Sequence, residues 1–145
     1  MIYLGIDPGK EGAIGIIDTI EDTAEVHPYS DDTLMELLHQ IGRTRVMVED
    51  VHAMPGQGST STFNFGKAFG KILGILKGTH TSYELVTPQK WKKEFSCTSD
   101  KNTSIDCCKR LFPTVELKRT DRSRKDDHNM AEAMLICEYA RRHMK

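Results

Sequence analysis

The sequence predicts an α/β domain built on a mixed β-sheet with helices on its faces. Three short runs near the N-terminus have the length and composition of strands and are separated only by turns. Further along, strand-like and helix-like segments alternate, and the last third contains three helical patterns in succession. The resulting order, β-β-β-α-β-α-β-α-α-α, is typical of a mixed sheet flanked by helices. Because the 145 residues contain no linker or low-complexity tract, we expect one domain over residues 1–145.

The predicted strands are apolar or β-rich runs bounded by turn residues. The first two are joined by the tight turn DPGKEG, and the third follows so closely that an antiparallel meander is expected. The last two are the segments RVMVED and SYELVTP. We place the five strands at residues 2–7, 12–18, 23–28, 45–50 and 82–88.

Five helices are predicted from capping residues and the spacing of apolar residues. The first has Ser30 as its cap, acidic residues in its first turn and Gly42 as its stop. Pro88 suits the first turn of the third helix, and Pro113 ends the fourth. A polar, basic loop over residues 114–125 precedes the last helix. The helices are placed at residues 31–41, 60–77, 88–95, 98–112 and 127–143.

The second helix carries a glycine at every fourth position, at Gly66, Gly70, Gly74 and Gly78. Residues at this spacing share one helix face, and each glycine inside a helix costs about 1 kcal/mol relative to alanine. Such a face allows another backbone to approach closely. We expect it to pack within the chain, and docking onto a second copy of the helix is the alternative. Lysines in the same stretch exclude a membrane span.

Charge is distributed unevenly along the chain. Residues 1–84 carry 6 Lys and Arg against 12 Asp and Glu, whereas residues 85–145 carry 14 against 9. This asymmetry is compatible with a polyanion-binding face, and also with an ordinary solvated surface. The four cysteines form no CxxC pair and are expected to be reduced structural thiols. With no long apolar run and no leader pattern, the protein is expected to be soluble, unexported and cytoplasmic, with no membrane partner.

Several acidic residues occupy positions where they can bind cations. Asp7 lies within an apolar strand, and a buried carboxylate is unfavourable unless it is paired or coordinates a metal. Glu49 and Asp50 end another strand and point to opposite faces, so only one of them can join Asp7. Glu132 lies inside the small and apolar segment MAEAMLI.

The residues one turn before Glu132 are candidates for a fourth position. His128 and Asn129 share the face of Glu132, whereas Asp127 either reaches the site from the helix N-cap or only caps the helix. Strand-end carboxylates with a helix-borne one suit two Mg²⁺ or Mn²⁺ ions about 4 Å apart that grip a scissile phosphate. Taken singly, an N-cap, a solvated acid and a salt-bridged acid are the simpler readings.

Four blocks of the sequence resemble the phage-type branch of the RuvC family, Holliday junction resolvases of the ribonuclease H-like superfamily. They are GIDPGKEGAIGIID, VEDVHAMPGQGSTSTFNFGKAFG, TPQKWKK and DDHNMAEAMLICEYARR. The blocks lie in family order and span nearly the whole chain. The first is shared with many ribonuclease H-like ATPases, and the second is specific. The resemblance implies a mixed five-stranded sheet with helices on both faces, in a homodimeric endonuclease that cuts four-way DNA junctions by paired nicks.

The resemblance also implies the catalytic residues. Asp7 and Glu49 match the first two catalytic acids, and Glu132 matches the last. Relatives generally place an acid or histidine three or four residues before the last acid, where this chain has Asn129 and His128. We predict Asp127 as the fourth metal ligand of a site for two Mg²⁺ or Mn²⁺ ions, with His128 as a further ligand or proton shuttle.

A DNA-binding surface is predicted from the glycines, the hydroxyl-bearing residues, the aromatic residues and the basic residues outside the acidic site. Glycines allow close backbone approach, hydroxyls at a helix N-terminus suit phosphate, and aromatic rings stack on unpaired bases or pack in the core. Basic residues contact the DNA backbone in a salt-dependent way. The predicted DNA-binding residues are Gly56, Gly58, Ser59, Ser61, Phe63, Phe65, Lys90, Lys92, Lys93, Lys118, Arg119, Arg122, Arg124 and Lys125.

Three other functions are compatible with parts of this pattern. An ATP-using member of the same superfold needs about twice the length and a second glycine-rich phosphate loop, so no nucleotide cofactor is expected. A structure-selective DNA-binding protein without cleavage is the main alternative. A nuclease that prefers forks or flaps would have the same sequence features.

Overall fold

A computed structural model describes residues 1–40 and 42–145. Its strands and helices follow the predicted order without exception. The end predicted for the first helix, at residue 41, lies outside the described residues. The elements are β1 (Ile2–Asp7), β2 (Ala13–Asp18), β3 (Thr23–Pro28), α1 (Asp31–Gln40), β4 (Thr44–Glu49), α2 (Ser59–Gly78), β5 (Tyr83–Val86), α3 (Pro88–Glu94), α4 (Lys101–Leu111) and α5 (His128–His143).

The five strands form one mixed sheet in the order β3-β2-β1-β4-β5. The first three make the predicted antiparallel meander, whereas β4 runs parallel to β1 and β5 parallel to β4. Ile6 of β1 is aligned with Val48 of β4. The two strands therefore end side by side, and the next residues, Asp7 and Glu49, lie at the same edge of the sheet.

Helices cover both faces of the sheet, as predicted. On one face, α1 and α2 bury side chains such as Leu34 and Ile72 against β1, β2 and β4. On the other face, α5 lies directly on the backbone of β1 and β2. A Cβ atom added at Gly5 would lie 2.2 Å from the Cys137 amide nitrogen, and one at Gly15 would lie 2.7 Å from the Ala133 carbonyl oxygen. These two glycines let α5 approach the sheet, and α5 carries Glu132 with it.

The period of two along a strand decides which acids face α5. Tyr3 and Met47 belong to the apolar cluster beneath α5, so Asp7 and Glu49, an even number of residues further on, point to that face. Asp50 lies beyond the end of β4 and is not part of the strand.

The expectation that the glycine face of α2 packs within the chain is wrong. In the part of the chain that the structure describes, no atom outside the helix's own nearby backbone lies within 4 Å of the position that a Cβ would occupy at Gly66, Gly70, Gly74 or Gly78. The buried residues Ile72 and Leu76 lie on the opposite side of the helix. The glycine face of α2, meaning these four residues, is therefore open to solvent.

None of the helices in the described part of the chain has the length and apolar character needed to span a membrane.

Candidate active site

The candidate site lies where β1 and β4 end beneath the first turns of α5. Asp7 and Glu49 come from the two parallel strands, and Glu132 from the second turn of the helix. Asp7 is 6% exposed and Glu49 is 9% exposed. The structure thus brings together the three acids that the sequence singled out from separate parts of the chain.

Asp7 is the most deeply buried of these acids. Its Oδ2 atom is enclosed and has no hydrogen-bond partner among the described residues. Burial raises the pKa of Asp7 well above its ordinary value, and Glu49, Glu132 and Asp127 raise it further. An unpartnered carboxylate oxygen is unfavourable in the interior of a protein unless a cation or a donor binds there.

Glu49 is positioned by a tryptophan. The indole Nε1 of Trp91, in α3, donates a hydrogen bond of 2.7 Å to Oε2 of Glu49, and Trp91 itself is fully buried. Burial raises the pKa of Glu49, while the Trp91 hydrogen bond and the charge of Lys92 oppose that shift. The side chain of Glu49 is therefore fixed in one orientation, with its other oxygen left for a ligand.

The pKa of Glu132 depends on its burial and on both the acids and the lysines around the site. Burial raises its pKa to about 7; Lys92 and Lys101 oppose this shift, and Glu49 and Asp127 add to it. Lys92 also lies 5.5 Å from the centre of the Trp91 ring, which places it beside the acids rather than on an open basic face. The side chains of two lysines and several acids therefore lie together at this edge of the sheet.

Asp127 occupies the N-cap of α5, one of the two alternatives open from the sequence. Its Oδ1 accepts a hydrogen bond of 3.0 Å from the Met130 amide, and its Oδ2 accepts one of 3.1 Å from Nε of Arg119. Burial alone would raise the pKa of Asp127, but the hydrogen bonds from Arg119 and the Met130 amide outweigh it and the pKa is lowered. Asp127 nevertheless lies near enough to raise the pKa of Asp7.

Arg119 holds the turn between β1 and β2 against the start of α5. Besides Asp127, its guanidinium donates to the carbonyl oxygens of Glu11 at 2.5 Å and Gly12 at 3.1 Å. The sequence predicted Arg119 as a phosphate contact, whereas its donors here are directed to its own chain.

His128 is the first residue of α5 and is half-buried. Burial and the charge of Lys101 lower its pKa, with Asp127 opposing. A neutral imidazole near pH 7 can accept a proton, which suits the predicted role of proton shuttle. Asn129 follows it in the same turn, half-buried as well.

The donor set at the acidic edge consists of carboxylates and one imidazole, and its chemistry decides which cation it can hold. Within residues 1–40 and 42–145, no three Asp, Glu, His or Cys side chains converge closely enough to enclose an ion. The chemistry of the site nevertheless fits a hard cation, since oxygen donors surround it and one oxygen of the Asp7 carboxylate has no partner in the described part of the chain. A cation at this point would also offset the burial, and with it the repulsion between the acids, that raises the pKa values of Asp7 and Glu132.

The two phenylalanines predicted to meet DNA lie in different surroundings. Phe63 is 71% exposed, whereas Phe65 is half-buried against the turn after β1. A Cβ atom added at Gly9 would lie 3.2 Å from Cε2 of the Phe65 ring. The helix that carries them begins after Gly58, which offers no side-chain cap, and Gly56 has a φ of 82°. Ser59 and Ser61, in the first turn, are exposed.

The predicted basic residues fall into three groups. Lys92 and Arg119 belong to the acidic site, as described above. Lys118 forms ion pairs with Glu116 at 3.7 Å and Asp126 at 3.6 Å. The others are exposed on α3 and on the loop before α5, and they are Lys90, Lys93, Arg122, Arg124 and Lys125.

Sequence reasoning missed the residues that support the acids rather than the acids themselves. Trp91 is absent from the predicted site residues, although it stands among the predicted DNA-binding lysines Lys90, Lys92 and Lys93, and Lys101 is absent as well. Trp91 alone carried a usable signal, because it is the single tryptophan of the chain and lies within TPQKWKK, a block shared with the family. Nothing near Lys101 in the sequence indicates that it lies beside Glu132.

The chain has the fold of two solved structures of RuvC. One is the structure of Thermus thermophilus RuvC in complex with a Holliday junction substrate, with a TM-score of 0.67, 17% identity and coverage of 99% of this chain and 97% of that one. The other is a Thermus thermophilus RuvC structure, with a TM-score of 0.64, 16% identity and coverage of 98% and 96%. No protein-family model matches the chain, and no curated protein is significantly similar in sequence. The predicted ribonuclease H-like fold is thereby confirmed.

Proposed function

We propose that this protein is a metal-dependent endonuclease of the RuvC family, in its phage-type branch, that resolves Holliday junctions and related branched DNA by paired nicks. The observation that carries the proposal is the buried carboxylate oxygen of Asp7, which has no partner among the described residues, at the acidic edge of a RuvC-fold sheet. One solved structure with this fold is a complex with a Holliday junction substrate, which supports branched DNA as the substrate.

The proposed metal ligands are Asp7, Glu49, Asp127 and Glu132, which would hold two Mg²⁺ or Mn²⁺ ions. When bound, two such ions activate a water molecule for in-line attack on a phosphodiester and stabilise the leaving oxygen. The hydrogen bond from Trp91 keeps Glu49 in a fixed orientation for this role. Asp127 would have to share oxygens that already accept hydrogen bonds from Arg119 and the Met130 amide.

Three other side chains have proposed roles that follow from their charge or, for His128, from its protonation state. Lys92 and Lys101 lie close enough to oppose the rise in the pKa of Glu132, so they can hold a phosphate oxygen at the same edge. His128 is proposed to accept or relay a proton, because burial and Lys101 keep it neutral near pH 7.

Paired nicks in the two strands of a junction require two active sites, which a homodimer supplies. The glycine face of α2 supports this assembly, since four glycines on which none of the described residues packs leave a smooth surface for a second backbone. Phe63, 71% exposed near the start of the same helix, adds an apolar side chain that a partner can cover. An isologous contact between two copies of α2 is therefore proposed.

The DNA is proposed to run over the start of α2 and the exposed basic residues near the acidic site. The first turn of α2 has unsatisfied backbone N–H groups, exposed hydroxyls and no acidic residue, which favours phosphate. Lys90, Lys93, Arg122, Arg124 and Lys125 supply charge on either side. A DNA substrate of this kind implies the cytoplasm of a bacterial or phage-infected cell.

A structure-selective DNA-binding protein with little or no cleavage is the second candidate. It is favoured by the two hydrogen bonds that already occupy Asp127, and by the absence of three converging ligands within residues 1–40 and 42–145. Metal binding at the acidic edge separates this candidate from the first.

The proposal is tested with a labelled synthetic four-way junction and a linear duplex of matched sequence, each with Mg²⁺, Mn²⁺ or EDTA. We expect symmetric nicks in the junction only, dependent on the metal and absent in Asp7→Asn. Tight junction binding without cutting in either metal would refute the nuclease and support the second candidate. Equal cutting of the linear duplex would refute junction selectivity.

A further inference from the structure

Arg119 lies between two segments that carry proposed metal ligands. It belongs to the loop before α5, and this loop is closed at its base by a hydrogen bond of 2.7 Å from the Asp127 amide to the Leu117 carbonyl oxygen. The Leu117 side chain is buried, so the chain is anchored in the core two residues before Arg119. The side chain of Arg119 is itself only 21% exposed. A guanidinium that is this enclosed needs protein acceptors in place of water.

One side of the guanidinium fixes the carboxylate at the start of α5. Nε of Arg119 donates a hydrogen bond of 3.1 Å to Oδ2 of Asp127, and the Met130 amide donates one of 3.0 Å to Oδ1. Both oxygens are thus held, so the plane of the carboxylate is set. Each carboxylate oxygen has a second lone pair, so Asp127 can still bind a cation in this orientation.

The other side of the guanidinium fixes the turn between β1 and β2. Nη2 donates to the carbonyl oxygens of Glu11 at 2.5 Å and Gly12 at 3.1 Å. The backbone of Gly12 is in turn packed on the strand end that carries Asp7, because a Cβ atom added at Gly12 would lie 2.3 Å from the Asp7 carbonyl oxygen. A displacement of the turn at Gly12 is therefore passed directly to the backbone of Asp7.

A lysine at this position would have the same charge but could not make the same contacts. The planar guanidinium presents Nε and Nη2 in a rigid fork, so it holds Asp127 and the Gly12 carbonyl at a set separation. An ammonium group is a point charge on a flexible stem and sets no such separation. Charge and geometry can thus be separated experimentally by one substitution.

We propose that Arg119 is a positioning residue of the acidic site, which holds the end of β1 at Asp7 and the N-cap carboxylate of Asp127 in the relative position that the proposed metal ions require. The inference rests on the proposed function, since a protein that only binds DNA has no need to fix these two carboxylates. This role takes the place of the phosphate contact predicted from the sequence. Removing a group that orients metal ligands typically lowers metal affinity or activity by about 10–100-fold.

The first test measures Mn²⁺ binding to the full-length protein in the absence of DNA, by electron paramagnetic resonance of the free ion. Arg119→Lys keeps the positive charge and removes the fork, so we expect its affinity for Mn²⁺ to be about tenfold lower or less. Lys109→Gln is the matched control, because it removes an ion pair that the same loop makes with α4 through Asp126, and it should keep the wild-type affinity. Equal affinities in wild type and Arg119→Lys would overturn the positioning role.

The second test separates positioning from phosphate binding. In junction cleavage with Mg²⁺, Arg119→Lys should lower kcat about tenfold or more and leave KM unchanged, because the loss affects the metal ligands rather than the substrate. In EDTA, Arg119→Gln should bind the junction with the salt dependence of the wild type. A raised KM at unchanged kcat, or a slope lowered by about 0.9 in Arg119→Gln, would identify Arg119 as a phosphate contact and overturn the inference.

The remaining outcomes separate this inference from the proposed function. Circular dichroism and urea denaturation in EDTA establish whether the two Arg119 variants fold, and if neither folds, Arg119 supports the whole domain and its assignment to the acidic site is overturned. A wild type that binds Mn²⁺ and cuts the junction, with Arg119→Lys doing both equally well, overturns only the positioning role. A wild type that binds the junction but neither binds Mn²⁺ nor cuts overturns both proposals.

Discussion

Glu132→Gln is expected to stabilise the metal-free protein at alkaline pH, although it removes a proposed catalytic residue. Glu132 has a pKa of about 7 in the folded protein, compared with an ordinary value of 4.5, chiefly because it is buried. Its protonated form is therefore the one that the fold favours. That contribution to stability is fully present below pH 4.5 and is lost as the pH rises through about 7.

The size of the effect follows from the same two values. Each unit of difference in pKa is worth about 1.4 kcal/mol, so the ionised Glu132 lowers the free energy of unfolding by about 3 kcal/mol at pH 8. At pH 5 the penalty is below about 1 kcal/mol, because the pH is then only slightly above the ordinary pKa of 4.5 and the unfolded chain has little more tendency than the fold to release the proton. Urea denaturation in EDTA at both pH values measures the difference between wild type and Glu132→Gln.

Glu138→Gln is the matched control on the same helix. Glu138 is also buried, which alone would raise its pKa, but it accepts hydrogen bonds from Arg141 at 2.6 Å and from Arg142 at 2.8 Å, and its pKa is lowered overall. A lowered pKa means stability that is present above the ordinary value and lost as the pH falls. Glu138→Gln should therefore destabilise the protein at pH 8, by about 1–3 kcal/mol.

The same denaturation experiment with Mg²⁺ in place of EDTA connects the stability of the protein to the proposed metal site. Mg²⁺ that binds only the folded protein stabilises it by about 2.7 kcal/mol at a hundred times its Kd. Wild-type protein should gain this stability, and Glu132→Gln should gain less. If Glu132→Gln is less stable than wild type at pH 8 in EDTA, as expected for Glu138→Gln, then Glu132 is not the repelled and desolvated group described here.

Three further predictions concern the neighbours of the acids, the dimer and the DNA. Trp91→Phe removes the donor that lowers the pKa of Glu49, so the pH–rate profile of junction cleavage should move to higher pH; an unchanged profile would show that the hydrogen bond does not tune the site. A Cβ at position 70 has no neighbour within 4 Å among the described residues, so Gly70→Leu should leave the protein folded by circular dichroism but make it sediment as a monomer, and a dimer that persists would argue against the glycine face as the interface. Arg122→Gln combined with Arg124→Gln should lower the salt dependence of junction binding by a slope of about 1.8, measured by fluorescence anisotropy, and an unaltered slope would exclude both residues from phosphate contacts.

The order of strands and helices could be predicted because each element carries a local signal. Thr87 and Asp100 accept hydrogen bonds from backbone amides at the starts of α3 and α4, where capping residues are expected. The boundaries of the elements differ from the predicted ones by a residue or more. For example, β4 covers Thr44–Glu49, whereas the sequence predicted a strand over residues 45–50. That small shift leaves Glu49 as the last residue of the strand and Asp50 outside it.

The glycine face of α2 shows the opposite case. A spacing of four residues places the glycines on one face, but it does not say what that face meets. The core face of the same helix is set by Ile72 and Leu76, which pack against β1 and β4, and the glycines lie away from it. The packing partner of a helix face is a property of the whole fold, so the expectation failed here.

By itself, the sequence determined which acids can meet at one edge of a sheet. Alternation along a strand sends Asp7 to one face and allows Glu49 or Asp50, but not both, to join it, and these rules act within a few residues. Only the tertiary structure decided how the acids are held. Trp91 donates a hydrogen bond to Glu49, 42 positions away in the sequence, and Arg119 donates one to the Gly12 carbonyl oxygen, 107 positions away. Contacts between residues so distant in the chain arise from the packing of α3 and α5 on the sheet, and no local spacing encodes them.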